Sequence, residues 1–388
     1  MVAHILRTTL RDTLYRHHEE CRREVSQMTP YELRGKIILM GKKLPMDFKG
    51  DQTEVTDEDE GAETNKKKDK IRRVPLCKEL SDIITLVRTR FLDFQTSKQI
   101  QTFREMCSMS EGMAGKLAHG AFAEEFVNHN KLFLTRIFPN GSLALNFQTP
   151  GQMMDLYDGK FRQNGGCGYV LKPAIMRDQI SFFSANAKDL IPGGSPQILH
   201  LKVISAQYLP RPRGSTAKGD VIDPYIMVQV FGIPSDCTER KTRTVSHEGD
   251  SPIYEETFEF QVTLPEIALL RFVILDDDYI GDDFIGQYSI PFECLQTGTR
   301  LGKLYLEEMY SHFLWRESGK PSWKNHPEYT RPIFEPRSPH HQQSSLDHAA
   351  TKAGYRHIRL LSNTGEPLEN ATLFVHVAIT NKKGGGNS

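Results

Sequence analysis

The stretch Asp276-Asp-Asp-Tyr-Ile-Gly-Asp-Asp-Phe-Ile-Gly286 decides how the C-terminal half of this 388-residue chain is read. It follows the apolar run Leu270 to Leu275 and carries acids at positions 276, 277, 278, 282 and 283. Clustered carboxylates at a strand end repel one another unless solvent or a cation separates them. Asp220 and Asp223 lie in a second loop, ahead of the apolar run Tyr225 to Phe231. Two readings stay open at this point: solvated turn acids, or a Ca²⁺ site drawing hard oxygen ligands from several loops. The flanking pattern is β. Gln197 to Ser205 alternates, with Leu199, Leu201 and Val203 on one side, and Thr257 to Val262 and Thr372 to Ile379 follow the same style. Turn residues separate these runs at the spacing of an antiparallel sandwich, which is expected over 195–298 and 354–380. Residues 299–353 break the pattern with Trp315, Trp323, Pro332, Pro336, Pro339 and five histidines, including the pair His340-His341. Composition favours a polar, disordered insertion there over a metal site.

Upstream the character changes. Residues 75–190 alternate strand-like and helical patterns, which predicts a parallel α/β layout. Leu80 to Val87 is a short apolar stretch, and Met113 to Phe126 is read as helical. Phe133 to Phe138, Leu143 to Phe147 and Gly168 to Lys172 are read as strands. Before them, residues 51–63 hold seven acids and 66–73 hold six bases, charge blocks that bury no apolar area and read as a linker. Ile5, Leu6, Leu10 and Leu14 recur at helical spacing, and Ile37 to Met40 reads as a buried strand.

Composition narrows the function classes. Lys+Arg and Asp+Glu are both 49, so bulk charge does not draw the chain to nucleic acid. Hydrophobic residues make up 38%, and no apolar run is long enough for a bilayer span. The first residues, Met1 to Leu14, lack the apolar block and cleavage site of a secretory leader. Cys21, Cys77, Cys107, Cys167, Cys237 and Cys294 are scattered without a CxxC pair, which fits a reducing, cytoplasmic compartment and argues against a disulfide framework.

Particular stretches carry a resemblance. Asp220-Val-Ile-Asp-Pro-Tyr225, Ser251-Pro252 and the 276–286 loop resemble a C2 domain, the calcium and phospholipid module of signalling enzymes. Carried over by position, Asp223, Asp276, Asp278 and Asp283 fall on acidic loop positions of that family. The resemblance implies Ca²⁺ there and an anionic phospholipid surface as partner. Ser251 departs, standing where related domains often place Asn. Cys77-Lys-Glu-Leu-Ser-Asp82, Glu105-Met-Cys-Ser-Met-Ser-Glu111, Asn130 to Pro139, Ala144-Leu-Asn-Phe-Gln-Thr-Pro-Gly151 and Asn164-Gly-Gly-Cys-Gly-Tyr-Val-Leu-Lys-Pro173 resemble the Y half of a phosphoinositide-specific phospholipase C.

The implied organisation is the tail of an X half at 1–47, an acidic and basic disordered linker at 48–74, and a Y half-barrel at 75–190. A C2 domain follows at 195–380, interrupted at 299–353, with a flexible tail at 381–388. The implied fold is half of a TIM barrel followed by an antiparallel C2 sandwich. Pro139-Asn-Gly-Ser-Leu143 bridges directly where relatives carry a longer segment with a further barrel strand, so the half-barrel is expected to be the less stable part.

The same likeness assigns site residues. Ser108 and Arg136 match the Ser and Arg that contact inositol phosphates in active members. Lys42 matches one of two basic positions beneath the ring phosphates, and Met40 stands at the other. Phe138 stands where active enzymes usually carry Tyr. The family's catalytic histidines and calcium ligands come from the X half, while His4, His17 and His18 lie outside any matching motif. No catalytic residue is therefore expected in this chain. Glu54-Val-Thr-Asp-Glu-Asp-Glu-Gly-Ala-Glu63, Ser181-Phe-Phe-Ser-Ala-Asn186 and Ala378-Ile-Thr-Asn-Lys-Lys-Gly-Gly-Gly386 are similar to the branch of phospholipase C-related catalytically inactive proteins. That branch implies a non-enzymatic scaffold in phosphoinositide signalling, cytoplasmic with peripheral membrane association. Its partners would be anionic phospholipid, phosphatases and receptor-associated proteins, and not nucleic acid. The alternatives are a fragment of an active enzyme hydrolysing phosphatidylinositol 4,5-bisphosphate to inositol trisphosphate and diacylglycerol, or a plain calcium-dependent membrane module.

Overall fold

The computed structural model describes residues 1–15, 29–44, 49–56, 73–139, 149–177, 195–212, 221–246, 249–279, 281–295 and 352–381. The chain forms two compact units, Met1–Thr149 with Lys172–Ala185, and Pro150–Leu171 with Asn186–Ser388.

In the first unit, helix α1 (Val2–Leu10) places Leu6 and Leu10 beside the buried Ala3, Leu14 and Ile83. The Ile37 to Met40 run yields only a short strand, β1 (Met40–Gly41), because its pairing with a neighbour is two residues long. The charged linker contributes order at both ends: β2 (Gln52–Thr56) and β3 (Arg73–Cys77) form an antiparallel hairpin, with Gln52 opposite Cys77. Thr53, Val55 and Thr56 give the acidic side enough β preference for this pairing. Helix α2 (Lys78–Ser81) follows, then β4 (Leu86–Arg90), α3 (Phe94–Ile100), β5 (Glu105–Ser110), α4 (Glu111–His119), α5 (Ala123–Leu132) and β6 (Leu134–Phe138).

The expected single helix over 113–126 is two. Gly120 ends α4, where a Cβ would sit 2.6 Å from the Lys116 carbonyl oxygen. Side chains start the helices: Asp93 Oδ1 accepts from Thr96 N–H at 2.7 Å, and Ser110 Oγ accepts from Met113 N–H at 3.2 Å. Strands β1-β4-β5-β6 form one parallel sheet in that order. Alternation sorts its faces. Cys107, Met109 and Ile137 pack with Ala114, Leu117, Phe94 and Phe126 of the helices, so Ser108 and Arg136, one residue out of step, belong to the other face. The Leu143 to Phe147 strand lies outside the described residues.

The second unit opens with helix α6 (Gln152–Phe161) and a turn of 3₁₀ helix at Arg162–Asn164. Gly165 and Gly166, at φ 63° and 73°, end it. Gly168 to Lys172, expected as a strand, is irregular after the glycine turn. The sandwich comprises β7 (Gln197–Gln207), β8 (Pro224–Phe231), β9 (Thr238–Lys241), β10 (Ile253–Val262), β11 (Leu269–Asp276), β12 (Asp283–Pro291), β13 (Lys352–Leu361) and β14 (Pro367–Asn381). All pairings are antiparallel, in the order β10-β7-β14-β13-β12-β11-β8-β9. Between β13 and β12 the join is one pair, Gln287 with Leu361, so the array works as two four-stranded layers. Their inner faces make one core around Leu201, Val203, Phe260, Phe272, Leu360 and Val377. Residues 299–353 are outside the described residues, apart from the start of β13.

Candidate functional site

Strand register assembles the acidic end of the sandwich. Asp276, the last residue of β11, stands opposite Asp283 at the start of β12 and opposite Pro224 at the start of β8. Asp223 precedes Pro224, so three loop acids reach one corner. A register shift at Ile285, which is skipped between the pairs Ile274–Gly286 and Leu275–Phe284, re-aims the start of β12. The corner is laced: Asp276 Oδ1 accepts from Asp223 N–H at 2.7 Å, and Asp277 N–H donates to the Asp223 carbonyl at 3.0 Å. Thr244 Oγ1 donates to Asp277 Oδ2 at 2.6 Å, and Tyr225 OH donates to Asp282 Oδ2 at 2.6 Å. Asp277 and Asp282 thus spend an oxygen each on the protein. Sequence reasoning missed these supports, which came from Thr244 and Tyr225 on other strands and loops.

The four acids act on one another through their charge. Burial pushes the Asp276 carboxyl above the usual range. The Asp223 N–H works against that rise, and the charges of Asp223, Asp278 and Asp283 add to it. Burial and then Asp282 raise the Tyr225 hydroxyl. An all-oxygen donor set suits Ca²⁺ in chemistry. As the side chains stand, however, no three His, Cys, Asp or Glu among the described residues are grouped to hold a metal ion. Ser251 is exposed and its hydroxyl donates to its neighbour Asp250 at 3.1 Å, so it does not turn to the corner. Asp220 lies outside the described residues. Beyond the corner, Tyr279 is fully exposed at the tip of the 276–283 loop.

The half-barrel positions lie on one sheet face. Ser108 on β5 is aligned with Arg136 on β6 and with Arg90 on β4, and Ser110 is aligned with Phe138. The Arg136 guanidinium lies 4.3 Å from the centre of the Phe138 ring, and that of Arg88 lies 6.0 Å from it. Arg88 is a cation that sequence reasoning passed over; its signal was two-residue spacing from Arg90 on a strand. Ser108 is 1% exposed, and its Oγ has no hydrogen-bond partner among the described residues. Lys42, just past β1, is half-buried, and Met40 lies on β1. This row offers cations and the hydroxyls of Ser108 and Ser110, the latter accepting from Met113 N–H; β1, β4, β5 and β6 carry no histidine, and their one acid, Glu105, accepts from Thr102 N–H at 2.6 Å. His129 sits buried on α5 against Phe91, Phe94 and Phe133, with Cys107 Sγ at 3.5 Å. Burial lowers its pKa. His4 and His119 are exposed on helices, and His17 and His18 lie outside the described residues.

Comparison with known proteins agrees with both halves. A family model described as "C2 domain" matches residues 197–306, and one described as "Phosphatidylinositol-specific phospholipase C, Y domain" matches 142–175. The chain is 46% identical to the Inactive phospholipase C-like protein 2 of Mus musculus, over 92% of its own length and 29% of that protein's. It is 34% identical to the 1-phosphatidylinositol 4,5-bisphosphate phosphodiesterase delta-4 of Xenopus laevis, over 91% of its length and 43% of that protein's. The crystal structure of L. pealei PLC21 superposes with a TM-score of 0.67 at 25% identity, covering 99% of this chain and 43% of that one. The chain therefore spans well under half the length of these relatives. The chain thus carries a C2 sandwich and a parallel α/β sheet, and it is similar to phosphoinositide-specific phospholipase C proteins, with greater identity to an inactive phospholipase C-like member than to the phosphodiesterase.

Proposed function

We propose that the chain acts as a non-enzymatic scaffold in phosphoinositide signalling, with its C2 domain as the binding module. The observation that carries this reading is the Ser108–Arg136–Phe138 row. It has charge and an aromatic platform suited to holding an anion. The greater identity to an inactive relative than to the phosphodiesterase supports it. The test is release of inositol trisphosphate from mixed micelles of phosphatidylinositol 4,5-bisphosphate with Ca²⁺. No release above buffer is expected. Sustained turnover would overturn the reading in favour of an active fragment.

The C2 domain meets an anionic phospholipid surface through its acidic end, where Asp223, Asp276, Asp278 and Asp283 would hold Ca²⁺ and Tyr279 stands proud of the loop. Bound Ca²⁺ would offset the mutual repulsion of these carboxylates and supply positive charge toward lipid phosphates. Location in the cytoplasm with reversible membrane contact, and partnership with phosphatases or receptor-associated proteins, follow from the same reading. No helix among the described residues is long and apolar enough to cross a membrane. Sedimentation with phosphatidylserine vesicles, with Ca²⁺ and with chelator, tests the lipid contact. Pelleting only with Ca²⁺ supports the acid corner as the switch, and its loss in Asp276→Asn assigns it. Equal pelleting in both conditions rejects Ca²⁺ control. No pelleting rejects lipid as the ligand and leaves protein partners.

A further inference from the structure

The loop between β11 and β12 carries a reactive group that the acid corner does not use. Among the described residues the exposed tyrosines are Tyr31, Tyr169, Tyr208, Tyr279 and Tyr355, and Tyr279 is the most exposed of them. Tyr355 is partly covered by the rings of Phe374 and His376, at 5.7 and 4.8 Å. Tyr225 and Tyr254 are buried, and each hydroxyl is hydrogen-bonded. The three residues ahead of Tyr31, Tyr169, Tyr208 and Tyr355 include no acid, whereas Asp276-Asp-Asp278 stands directly ahead of Tyr279. The backbone presents this ring to solvent. Gly281 N–H donates to the Asp278 carbonyl at 3.2 Å, which closes a tight turn with Tyr279 at its first corner. Tyr279 N–H donates to Asp278 Oδ1 at 2.6 Å. The base of the loop is held separately, by the Asp276–Asp283 pairing and by the bonds of Asp277 to Asp223 and Thr244. The tip can therefore open into an extended strand while the sandwich stays closed.

We propose that Tyr279 is a phosphorylation site, the acceptor for a protein tyrosine kinase that selects acids ahead of its target. Exposure gives the phenol oxygen access to a kinase cleft, and Asp276, Asp277 and Asp278 supply negative charge that a basic cleft reads. In the transfer the Tyr279 oxygen forms a bond to the γ-phosphorus of ATP. The bond from that phosphorus to the β,γ-bridging oxygen breaks, the phenolic proton passes to the catalytic aspartate of the kinase, and ADP leaves. The product carries about −1.5 to −2 charges at pH 7, one residue from Asp278. Residues 276–283 contain no Lys or Arg to offset it. Arg243, next to the Thr244 that holds Asp277, is already engaged by Glu256 and by the carbonyls of Ile253 and Tyr254. The new charge is thus left facing solvent at the tip of an acidic loop. Its consequence rests on the lipid reading given above: phosphate at the tip repels anionic headgroups, so modification switches this end of the C2 domain off the membrane.

The test incubates the full chain with ATP, Mg²⁺ and a tyrosine kinase domain of that selectivity, and places the phosphate by mass spectrometry. Tyr279 is expected to take phosphate about tenfold faster than Tyr31, Tyr169, Tyr208 or Tyr355, the scale of a few exposed charge pairs. Asp277→Asn with Asp278→Asn should remove that margin, and Tyr279→Phe should remove the phosphate. With phosphatidylserine vesicles and Ca²⁺, the phosphorylated chain should then pellet about tenfold less than the unmodified chain, since each charge at an anionic surface shifts binding severalfold. Phosphate absent from Tyr279, or spread evenly over the exposed tyrosines, overturns the site. Phosphate at Tyr279 with unchanged pelleting overturns the switch. A chain that takes phosphate at Tyr279 but pellets in neither form refutes the lipid reading and supports the site. The measurement on the unaltered chain decides the matter even where a variant does not fold.

Discussion

Gly159→Ala separates helix propensity from helix docking, because the two predict opposite signs. In an open helix interior, Gly to Ala stabilises by about 1 kcal/mol. At Gly159 the new Cβ would lie 2.6 Å from Ser289 Cβ, 3.0 Å from its backbone carbon and 3.1 Å from its backbone oxygen. Carbon atoms rest at roughly 3.5–4.0 Å, so α6 must retreat by about 1 Å or β12 must yield. Strand β12 is held in register along β11 from Pro291 to Asp283, which leaves the helix to move. That retreat stretches the Arg271–Asp155 contact now at 2.7 Å. Overpacking costs about 1–3 kcal/mol, and loosening a charged hydrogen bond costs about as much again, so the net loss is ~3 kcal/mol after the propensity gain. For a unit of this size that lowers the melting temperature by roughly 6–12 °C. The control is Gly115→Ala within α4, where nothing lies within 4 Å of the added carbon and the same substitution should stabilise. Calorimetry of the full chain reads both. A Gly159→Ala protein as stable as its parent, or more so, would refute the reasoning.

Four other outcomes follow from the geometry. His129 has its pKa lowered by burial, so its folded value lies below the unfolded 6.5. Stability from the neutral ring is present above that value and is lost as pH falls through the folded pKa; His129→Leu should flatten this acid limb in thermal melts followed against pH. Arg136→Ala should abolish binding of soluble inositol trisphosphate measured by titration calorimetry, and Phe138→Tyr should leave it intact, if the row holds an anion. Ser108→Ala should change stability by less than about 0.5 kcal/mol in urea unfolding, because its buried hydroxyl has no partner among the described residues, yet it should weaken that same anion binding. Tyr279→Ser should reduce vesicle pelleting several-fold without shifting the melting temperature, since the ring touches solvent on all sides.

What the sequence made legible was whatever is written in short-range alternation. Leu199, Leu201 and Val203 announce an inward face, and they sit on it. Asp276 after an apolar run announces a strand end, and register carries it to Asp283 and Asp223. Alternation fails where a partner decides. Tyr169, Val170 and Leu171 have strand-like composition, but two glycines with positive φ precede them and no strand among the described residues pairs with them. Thr53 and Val55 were submerged in a run of acids, yet a hairpin with Arg73–Cys77 orders them.

Arg271 shows the same limit from the other side. In Leu269-Leu-Arg-Phe-Val-Ile-Leu275 a single charge interrupts a strand that is otherwise apolar, which read alone suggests an outward, wetted position. It does point outward, away from the sandwich core, but that exterior is covered. A lone guanidinium in a strand buried on both faces requires an acid from elsewhere in the chain, and Asp155 is that acid. The mismatch between local pattern and residue type was therefore a readable signal of a long-range contact, although nothing local named the partner.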